Sequence, residues 1–243
     1  EQRAIAEALS DVDGLLGGLD RLIAKKRDLK QAAMQQLLTG QTRLPGFGPK
    51  WEEVEFGDVA GVRNEKVVAS AVPLGTVCVE LEAIAPVTGR LVDTTEASGI
   101  TAKYKFMRGD VLFGRLRAYL RKYWLAEFDG ICSTEIWPLI PREQRLSAPF
   151  LHLLVQTAEF VRAAEVSYGT HMPRSDWAVL RCFPVRLPPV PEQSAIATVL
   201  SDMDAELAAL EARRDKTRAL KQAMMQELLT GRIRLVKPEG AAA

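Results

Sequence analysis

The chain contains a long internal repeat. Residues 1–44 align without gaps on residues 192–235, and 25 of the 44 aligned positions are identical. The identities include EQxAIA, LSDxD and LKQAxMQxLLTG in the same register, which a shared preference of helices for Leu and Ala does not explain. The repeat therefore predicts two equivalent elements, separated by a segment of different character.

Both copies of the repeat have helical periodicity. Apolar residues recur at alternating intervals of four and three, a spacing that places them on one face for a partner helix. They are Ile5, Leu9, Val12, Leu16, Leu19 and Ile23 in the first copy, and Ile196, Leu200, Met203, Leu207 and Leu210 in the second. Polar residues then interrupt this apolar face in each copy. Gly40 and Gly231 follow the helical patterns and are predicted to cap them in the left-handed conformation.

The length of each helix requires a long partner. A helix of about 38 residues is roughly 57 Å long. If the intervening segment is a compact domain with neighbouring ends, the two helices of one chain pair antiparallel. Two separate core helices, or pairing between two chains, are the alternatives.

The segment between the helices has the pattern of a mixed domain. Its apolar runs are short and rich in Val, Ile, Tyr and Phe, which is typical of strands. A helix is predicted over 148–164 and a strand over 178–183. The fold class is therefore α+β, with a curved, mostly antiparallel sheet in one globular domain and two long helices paired as an antiparallel coiled coil. The predicted boundaries are 1–44, 45–191, 192–235 and a tail at 236–243.

Charge is concentrated in one part of this domain. The whole chain has 32 basic and 31 acidic residues and a net charge of +1, which gives no sign of nucleic-acid binding by bulk charge. Residues 103–122, however, contain seven basic residues against the single acid Asp110, a local charge of +6.

If 111–124 is a strand or hairpin, its side chains alternate between a polar and an apolar face. The polar face holds Arg115, Arg117, Tyr119, Arg121 and Tyr123, and the apolar face holds Leu112, Leu116, Leu120 and Trp124. Arginine binds phosphate and guanine as a planar fork, and tyrosine adds hydrogen bonds to phosphate. The basic face thus predicts a DNA-binding surface, with a solvated basic strand as the alternative. Lys103, Lys105 and Lys122 are included in the predicted surface.

A polar loop over 167–177 adds further candidates. Thr170, His171 and Arg174 are predicted to contact DNA, although an ordinary surface loop would have the same composition. No nucleophile with a neighbouring base is present in it.

Several other classes of site are disfavoured by the sequence. The chain lacks a glycine-rich phosphate-binding motif and a stretch of about 20 apolar residues that would span a membrane. Its three cysteines are widely spaced, which disfavours a zinc site and a disulfide framework and indicates a reducing, cytoplasmic compartment. We expect no catalytic residues, no bound metal and no cofactor.

The motifs resemble a known protein family. The helical motifs EQxAIAxxLSDxD and LKQAxMQxLLTGxxRL, with MRGDVLFGRLRAYLRKYWLAEFDGICSTEIWPL (107–139) and YGTHMPRSDW (168–177), resemble specificity subunits of type I restriction-modification systems. The middle segment is similar to one of their target recognition domains. The resemblance extends over nearly the whole chain.

This resemblance implies a non-catalytic DNA-recognition subunit. The globular domain would recognise one half of a bipartite site in double-stranded DNA, and the helices would set the spacing and bind methyltransferase subunits. Nuclease/translocase subunits would join indirectly, and AdoMet, ATP and Mg²⁺ would belong to these partners. The alternative is a coiled-coil scaffold for methyltransferase assembly with little DNA binding of its own.

The exposed faces of the helices are the expected docking surface. The candidate residues are Arg27, Lys30, Gln31, Gln35, Arg218, Lys221, Gln222 and Gln226. A full subunit of the family has two recognition domains, whereas this chain has one. It is therefore either a fragment of a longer subunit or a natural half-subunit, and a half-subunit would be expected to form a homodimer.

Overall fold

A computed structural model of the chain describes residues 1–166 and 172–235. The chain divides into two compact units. The helical unit comprises residues 1–33 and the residues from 199 onward, and the mixed unit comprises residues 34–198.

Long helices form both copies of the repeat, and short elements form the segment between them. The helices are α1 (Gln2–Leu38), α2 (Phe56–Val59), α3 (Ala148–Leu154), α4 (Ala158–Ala164), α5 (Trp177–Leu180) and α6 (Val190–Leu229). The strands are β1 (Glu52–Glu55), β2 (Ala60–Val62), β3 (Lys66–Val68), β4 (Val77–Val79), β5 (Thr95–Glu96), β6 (Ala102–Phe106), β7 (Val111–Gly114), β8 (Tyr123–Leu125), β9 (Gly130–Ser133), β10 (Ile136–Pro141) and β11 (Pro184–Leu187).

In the helical unit, α1 and α6 run antiparallel. Lys30 pairs with Asp204, and Lys221 pairs with Asp13 at 2.6 Å, so a residue late in α1 faces a residue early in α6. Lys30 and Lys221 are equivalent positions of the repeat, as are Asp13 and Asp204. The same ion pair therefore occurs twice, related by a local two-fold symmetry, and the predicted antiparallel coiled coil is confirmed.

The apolar stripe lies in the contact between these helices. Leu19, Ile23, Leu200 and Leu207 are buried, and the remaining stripe residues of this unit are half-buried. The polar interruption at Lys26 is explained by a third ion pair, because its ammonium group lies 2.7 Å from Glu206. Further interhelical pairs are Arg27–Glu211 at 2.5 Å and Arg214–Asp20 at 3.9 Å.

Both copies of the repeat end in the same cap. Gly40 has φ +71° and Gly231 has φ +72°, as predicted for left-handed caps that favour glycine. The amide of Thr42 donates to the carbonyl of Gln36 at 3.2 Å, and the equivalent bond is present in the second copy. The chain is thus turned out of each helix by the same local geometry.

The mixed unit confirms the α+β prediction and divides its strands among three sheets. In the described residues the sheet orders are β1-β11, β2-β10-β7-β8 and β3-β6-β9-β4-β5. All neighbouring strands are antiparallel except β4 and β9.

An aromatic cluster forms part of the core of this unit. The ring of Phe160 on α4 is fully buried, and its centroid lies 5.0 Å from that of Phe56 and 5.4 Å from that of Phe113. Phe183 adds a third edge-to-face contact at 5.8 Å. These contacts fix α4 against β7 and the segment before β11.

Two predicted elements of the mixed unit are wrong. The single helix predicted over 148–164 is divided into α3 and α4, because the Thr157 hydroxyl accepts from the amide of Phe160 and begins a new helix. The strand predicted over 178–183 is the short helix α5, capped by the Asp176 carboxylate, which accepts from the amide of Ala178 at 2.8 Å.

A buried ion pair lies where α6 begins in the mixed unit. Glu192 is fully buried, and its carboxylate contacts the Arg43 guanidinium through two bonds of 2.5 and 2.6 Å. The indole of Trp51 also donates to it at 3.1 Å. The equivalent residues Glu1 and Arg234 pair within the helical unit, but Glu1 is exposed.

The next residue of α6 is also bonded to the mixed unit. Gln193 is fully buried, and its amide nitrogen donates to the carbonyls of Arg145 at 2.7 Å and Pro188 at 2.9 Å. Its side-chain oxygen accepts from the amide of Ser147 at 2.9 Å, directly before α3. Glu192 and Gln193 thus join the first turn of α6 to the globular part of the unit.

Candidate nucleic-acid interface

A strained turn between β7 and β8 holds several of the basic residues that were predicted to bind DNA. Arg117 (φ +54°) and Arg121 (φ +52°) are both left-handed and lie on either side of a 3-10 turn at Ala118–Leu120. This conformation is uncommon for residues other than glycine, and each instance costs about 1–3 kcal/mol. Such strain is concentrated at functional sites, so this turn is a candidate functional site.

The hairpin expected over 111–124 is present as the antiparallel pair of β7 and β8, but the predicted alternation of a polar and an apolar face is wrong. All four residues of β7 are buried, because both faces of the strand are covered: Leu112 belongs to a buried apolar cluster, and Phe113 on the other face contacts Phe160 of α4. Residues 115–122 leave the sheet, and Tyr123, which was assigned to the polar face, is buried with its hydroxyl donating to the carbonyl of Val87. The basic residues are therefore presented by a turn rather than by one face of a strand.

A second segment is bonded to this turn. The amide of Arg117 donates to the carbonyl of Pro173, and the amide of Ser175 donates to the carbonyl of Arg115, both at 2.9 Å. Arg174, between Pro173 and Ser175, is thereby held beside the turn. The structure thus brings together two regions that are about 58 residues apart in the sequence and that were both predicted to contact DNA.

Two guanidinium groups of the site are held inside the protein. Arg115 lies over the ring of Trp137, 4.8 Å from its centroid, and donates to the carbonyl of Ser175 at 3.3 Å. Arg121 donates to the carbonyl of Gln156 at 2.7 Å. The Nε atoms of both arginines are buried without a hydrogen-bond partner in the described structure. Both side chains therefore support the turn from within.

The guanidinium of Arg174 is bound by an acid. Its Nε and Nη2 atoms donate to the two carboxylate oxygens of Glu135 at 2.9 and 2.7 Å. The bond from Arg174 lowers the pKa of Glu135 below its ordinary value, although partial burial acts in the opposite direction, and the charge of Arg115 lowers it further. Glu135 is therefore a carboxylate at neutral pH.

The remaining residues that were predicted to contact DNA differ in the exposure and the bonding of their side chains. Arg117 and Tyr119 are exposed on the turn, and Tyr119 retains 53% of its accessible surface. Lys122 donates to a backbone carbonyl at 2.7 Å. Lys103 pairs with Glu80, whereas Lys105 is exposed, and both belong to β6 in the five-stranded sheet rather than to the turn. Thr170 and His171 lie outside the described residues.

A shallow pocket of about 260 Å³ adjoins the turn. Sites for drug-sized ligands and cofactors are usually about 300–1,000 Å³ and enclosed. This pocket is smaller and open, so it suits contact with an extended surface better than a bound cofactor. It is lined by Ala118, Tyr119, Ala164, Glu165, Pro173 and Ser175.

Sequence reasoning missed the groups that hold the arginines in place. Glu135 directly precedes β10 and Trp137 lies within it, in a run rich in apolar residues. An acid next to a strand rich in apolar residues was the available signal, but its partner Arg174 is 39 residues away.

The predicted docking residues of the helices fall into two groups. Several basic residues already form ion pairs: Arg27 with Glu211, Lys30 with Asp204, Lys221 with Asp13, and Arg218 with Asp215 at 3.5 Å. Four glutamines are exposed, namely Gln31, Gln35, Gln222 and Gln226. Their repeat-equivalent pairs, Gln31 with Gln222 and Gln35 with Gln226, make them the more available candidates for a partner.

The three cysteines of the chain are free thiols. Cys78 and Cys132 are buried free thiols, and Cys182 is exposed. Within 1–166 and 172–235, no three His, Cys, Asp or Glu side chains are grouped to hold a metal ion. None of the helices in the described ranges has both the length and the apolar character needed to cross a membrane.

Comparisons with known proteins agree with the geometry. Residues 49–218 match the family described as type I restriction modification DNA specificity domain. The chain is 28% identical over 177 residues to the type I restriction enzyme EcoDI specificity subunit of Escherichia coli, which covers 71% of this chain and 37% of that protein. It is 22% identical over 259 residues to the MjaVIII specificity subunit of Methanocaldococcus jannaschii, which covers 97% of this chain and 60% of that protein.

A solved structure shares the fold. The S subunit of the type I restriction-modification system from M. genitalium superposes with a TM-score of 0.57 at 17% identity, covering 93% of this chain and 60% of that one. The chain thus spans well under two thirds of the length of these relatives. These relatives are described as specificity subunits. The matched model extends from residue 49 in the mixed unit to residue 218 in α6, and the chain belongs to the family of type I restriction-modification DNA specificity domains.

Proposed function

We propose that this chain recognises a DNA sequence as a non-catalytic component of a type I restriction-modification complex. The mixed unit would contact one half of a bipartite site in double-stranded DNA. The observation that carries the proposal is the left-handed turn at 117–121, which exposes Arg117 and Tyr119 and is bonded to the segment of Arg174. Guanidinium and phenol groups on a fixed backbone suit binding to phosphates and base edges.

The helices are proposed to dock methyltransferase subunits and to set the spacing between half-sites. Support comes from the symmetric coiled coil, which presents equivalent residues twice, including the exposed Gln31 and Gln222. Nuclease/translocase subunits would join through the methyltransferase. AdoMet, ATP and Mg²⁺ are expected on these partners, and the assembly is expected to act in the cytoplasm. If the chain is a natural half-subunit, it would form a homodimer.

Replacing Arg117 with alanine is expected to weaken DNA binding. If the guanidinium holds a guanine, the loss is about 1–3 kcal/mol at that base, and if it holds a phosphate, the salt dependence of binding decreases by about one unit of slope. Fluorescence anisotropy over a salt series, with the methyltransferase subunit present, measures both quantities. Arg108→Ala is the matched control, because Arg108 is exposed in the same basic stretch but lies outside the turn. Equal affinities of the two variants and the unmodified chain would remove the turn from the interface.

The spacing proposal predicts the effect of lengthening the helices. An insertion of about four residues, roughly one helical turn, into both α1 and α6 is expected to change the distance between the half-sites that an assembled complex methylates. Methylation of a series of DNA sites with different spacers gives the preferred spacing. An unchanged preference would show that the helices do not set it.

A further inference from the structure

We propose that the carboxylate of Glu135 binds the guanidinium of Arg174 where a DNA phosphate would otherwise bind, and so limits binding to incorrect DNA. This inference depends on the proposed DNA-binding function and assigns a specificity-determining role to a residue that no DNA-contact prediction included.

The geometry of the pair supports substitution by a phosphate. Both oxygens of Glu135 are bound by two nitrogens of Arg174, at 2.9 and 2.7 Å. A phosphate presents two oxygens to the same planar fork, so carboxylate and phosphate compete for one set of donors. A DNA phosphate at this position would therefore displace the carboxylate and form the same pair of bonds.

The exposure of the pair allows this substitution. The side chains of Arg174 and Glu135 keep 41% and 26% of their accessible surface. Both partners remain in contact with water, so a phosphate can reach the guanidinium and exchange with the carboxylate while two bonds to Arg174 are kept. By contrast, the guanidinium groups of Arg115 and Arg121 have buried Nε atoms and are not free to change partners in this way.

The position of the pair places it within the candidate interface. A backbone bridge joins Leu116 to Arg174, directly before the exposed Arg117. Two other acids lie near this surface: Asp176 caps α5 and is committed to the amide of Ala178, and Glu165 lines the pocket. Glu135 is the acid that binds an arginine of the turn region, and its lowered pKa keeps it charged at neutral pH. Its negative charge would repel a DNA phosphate until the other contacts of the interface have formed.

A double-mutant cycle tests this role directly. The variants are Glu135→Gln, Arg174→Ala and the combination, with Glu127→Gln as the control, since Glu127 is an exposed acid of the preceding turn. Affinity for a fluorescent duplex of arbitrary sequence is measured over a salt series, with the methyltransferase subunit present. Glu135→Gln is expected to bind about three- to tenfold more tightly than the unmodified chain, with a salt slope steeper by about one, because Arg174 gains a phosphate. Glu127→Gln is expected to change the affinity by less than about twofold.

The combined variant distinguishes release of Arg174 from a general charge effect. If Glu135 acts through Arg174, the substitution gives no gain in the Arg174→Ala background. A gain of the same size in that background, or no gain in the single variant, overturns the proposal. Thermal unfolding of each variant checks that the fold is retained. If the unmodified chain and Arg117→Ala both bind the duplex equally poorly, the proposed DNA-binding function is wrong. If the unmodified chain binds but the effects of Glu135→Gln and Arg174→Ala are independent, only the proposed role of Glu135 is wrong.

Discussion

Replacing Glu192 with alanine is expected to destabilise the protein by about 1–3 kcal/mol, since a buried N–H donor is left without its acceptor while the guanidinium of Arg43 stays in contact with water. Arg43 would lose both of its bonds to the carboxylate, and the indole of Trp51 would lose its acceptor. Urea denaturation followed by circular dichroism measures the change in the free energy of unfolding.

The repeat supplies the control for this experiment. Glu1 is the equivalent residue and pairs with Arg234 in the same manner, but it is exposed. Glu1→Ala is therefore expected to leave the free energy of unfolding nearly unchanged, because exposed pairs are screened by water. Equal losses for the two variants would show that burial does not determine the importance of the ion pair.

Replacing Phe160 with alanine is expected to cost about 3–5 kcal/mol. The ring is fully buried and makes edge-to-face contacts with Phe56, Phe113 and Phe183, so its removal leaves a cavity that three rings line. Because α4 also lines the pocket at Ala164, the same variant is expected to weaken DNA binding. Calorimetry and anisotropy on one preparation measure the two effects.

Glu159→Ala is the matched control for the aromatic substitution. Glu159 is the neighbouring residue of α4 and is exposed, with a single ion pair to Arg162 at 3.6 Å. Its replacement is expected to change the free energy of unfolding by less than about 0.5 kcal/mol. A loss for Phe160→Ala as small as that of the control would contradict the importance of the aromatic cluster.

The helical unit could be predicted almost completely from the sequence. Helix periodicity is local, and the repeat supplied a second, independent copy of the same pattern, including the caps at Gly40 and Gly231. The interhelical ion pairs could not be predicted, because they join residues 174 to 233 positions apart, and the register that aligns Lys30 with Asp204 follows from the packed helices. The sequence showed where polar residues interrupt the apolar face of each helix, but it did not show which residues of the other helix pair with them.

The mixed unit was less predictable at the candidate interface than in its fold class. Alternation in 111–124 predicted one polar strand face, but both faces of β7 are covered, by a buried apolar cluster at Leu112 and by α4 at Phe113, so the alternation is absent from this strand. The turn that follows requires left-handed arginines at 117 and 121, a conformation that no residue preference indicates. The acid Glu135 acquires its role only through a partner from a distant segment.

The Lys–Asp ion pair occurs twice between α1 and α6, so the contact surface of each helix is largely self-complementary. Two copies of α1 could align Lys30 of each with Asp13 of the other, and two copies of α6 could do the same with Lys221 and Asp204, without any new chemistry. The pair of Lys26 with Glu206 favours the mixed combination, since the repeat has Thr217 and Leu15 at the equivalent positions. Within one chain, covalent linkage adds a high effective concentration. The pair of Arg214 with Asp20 is asymmetric as well, since Ile23 is the repeat equivalent of Arg214. Partner choice by these helices is therefore governed by tethering and by these asymmetric contacts more than by the Lys–Asp pair that both copies share.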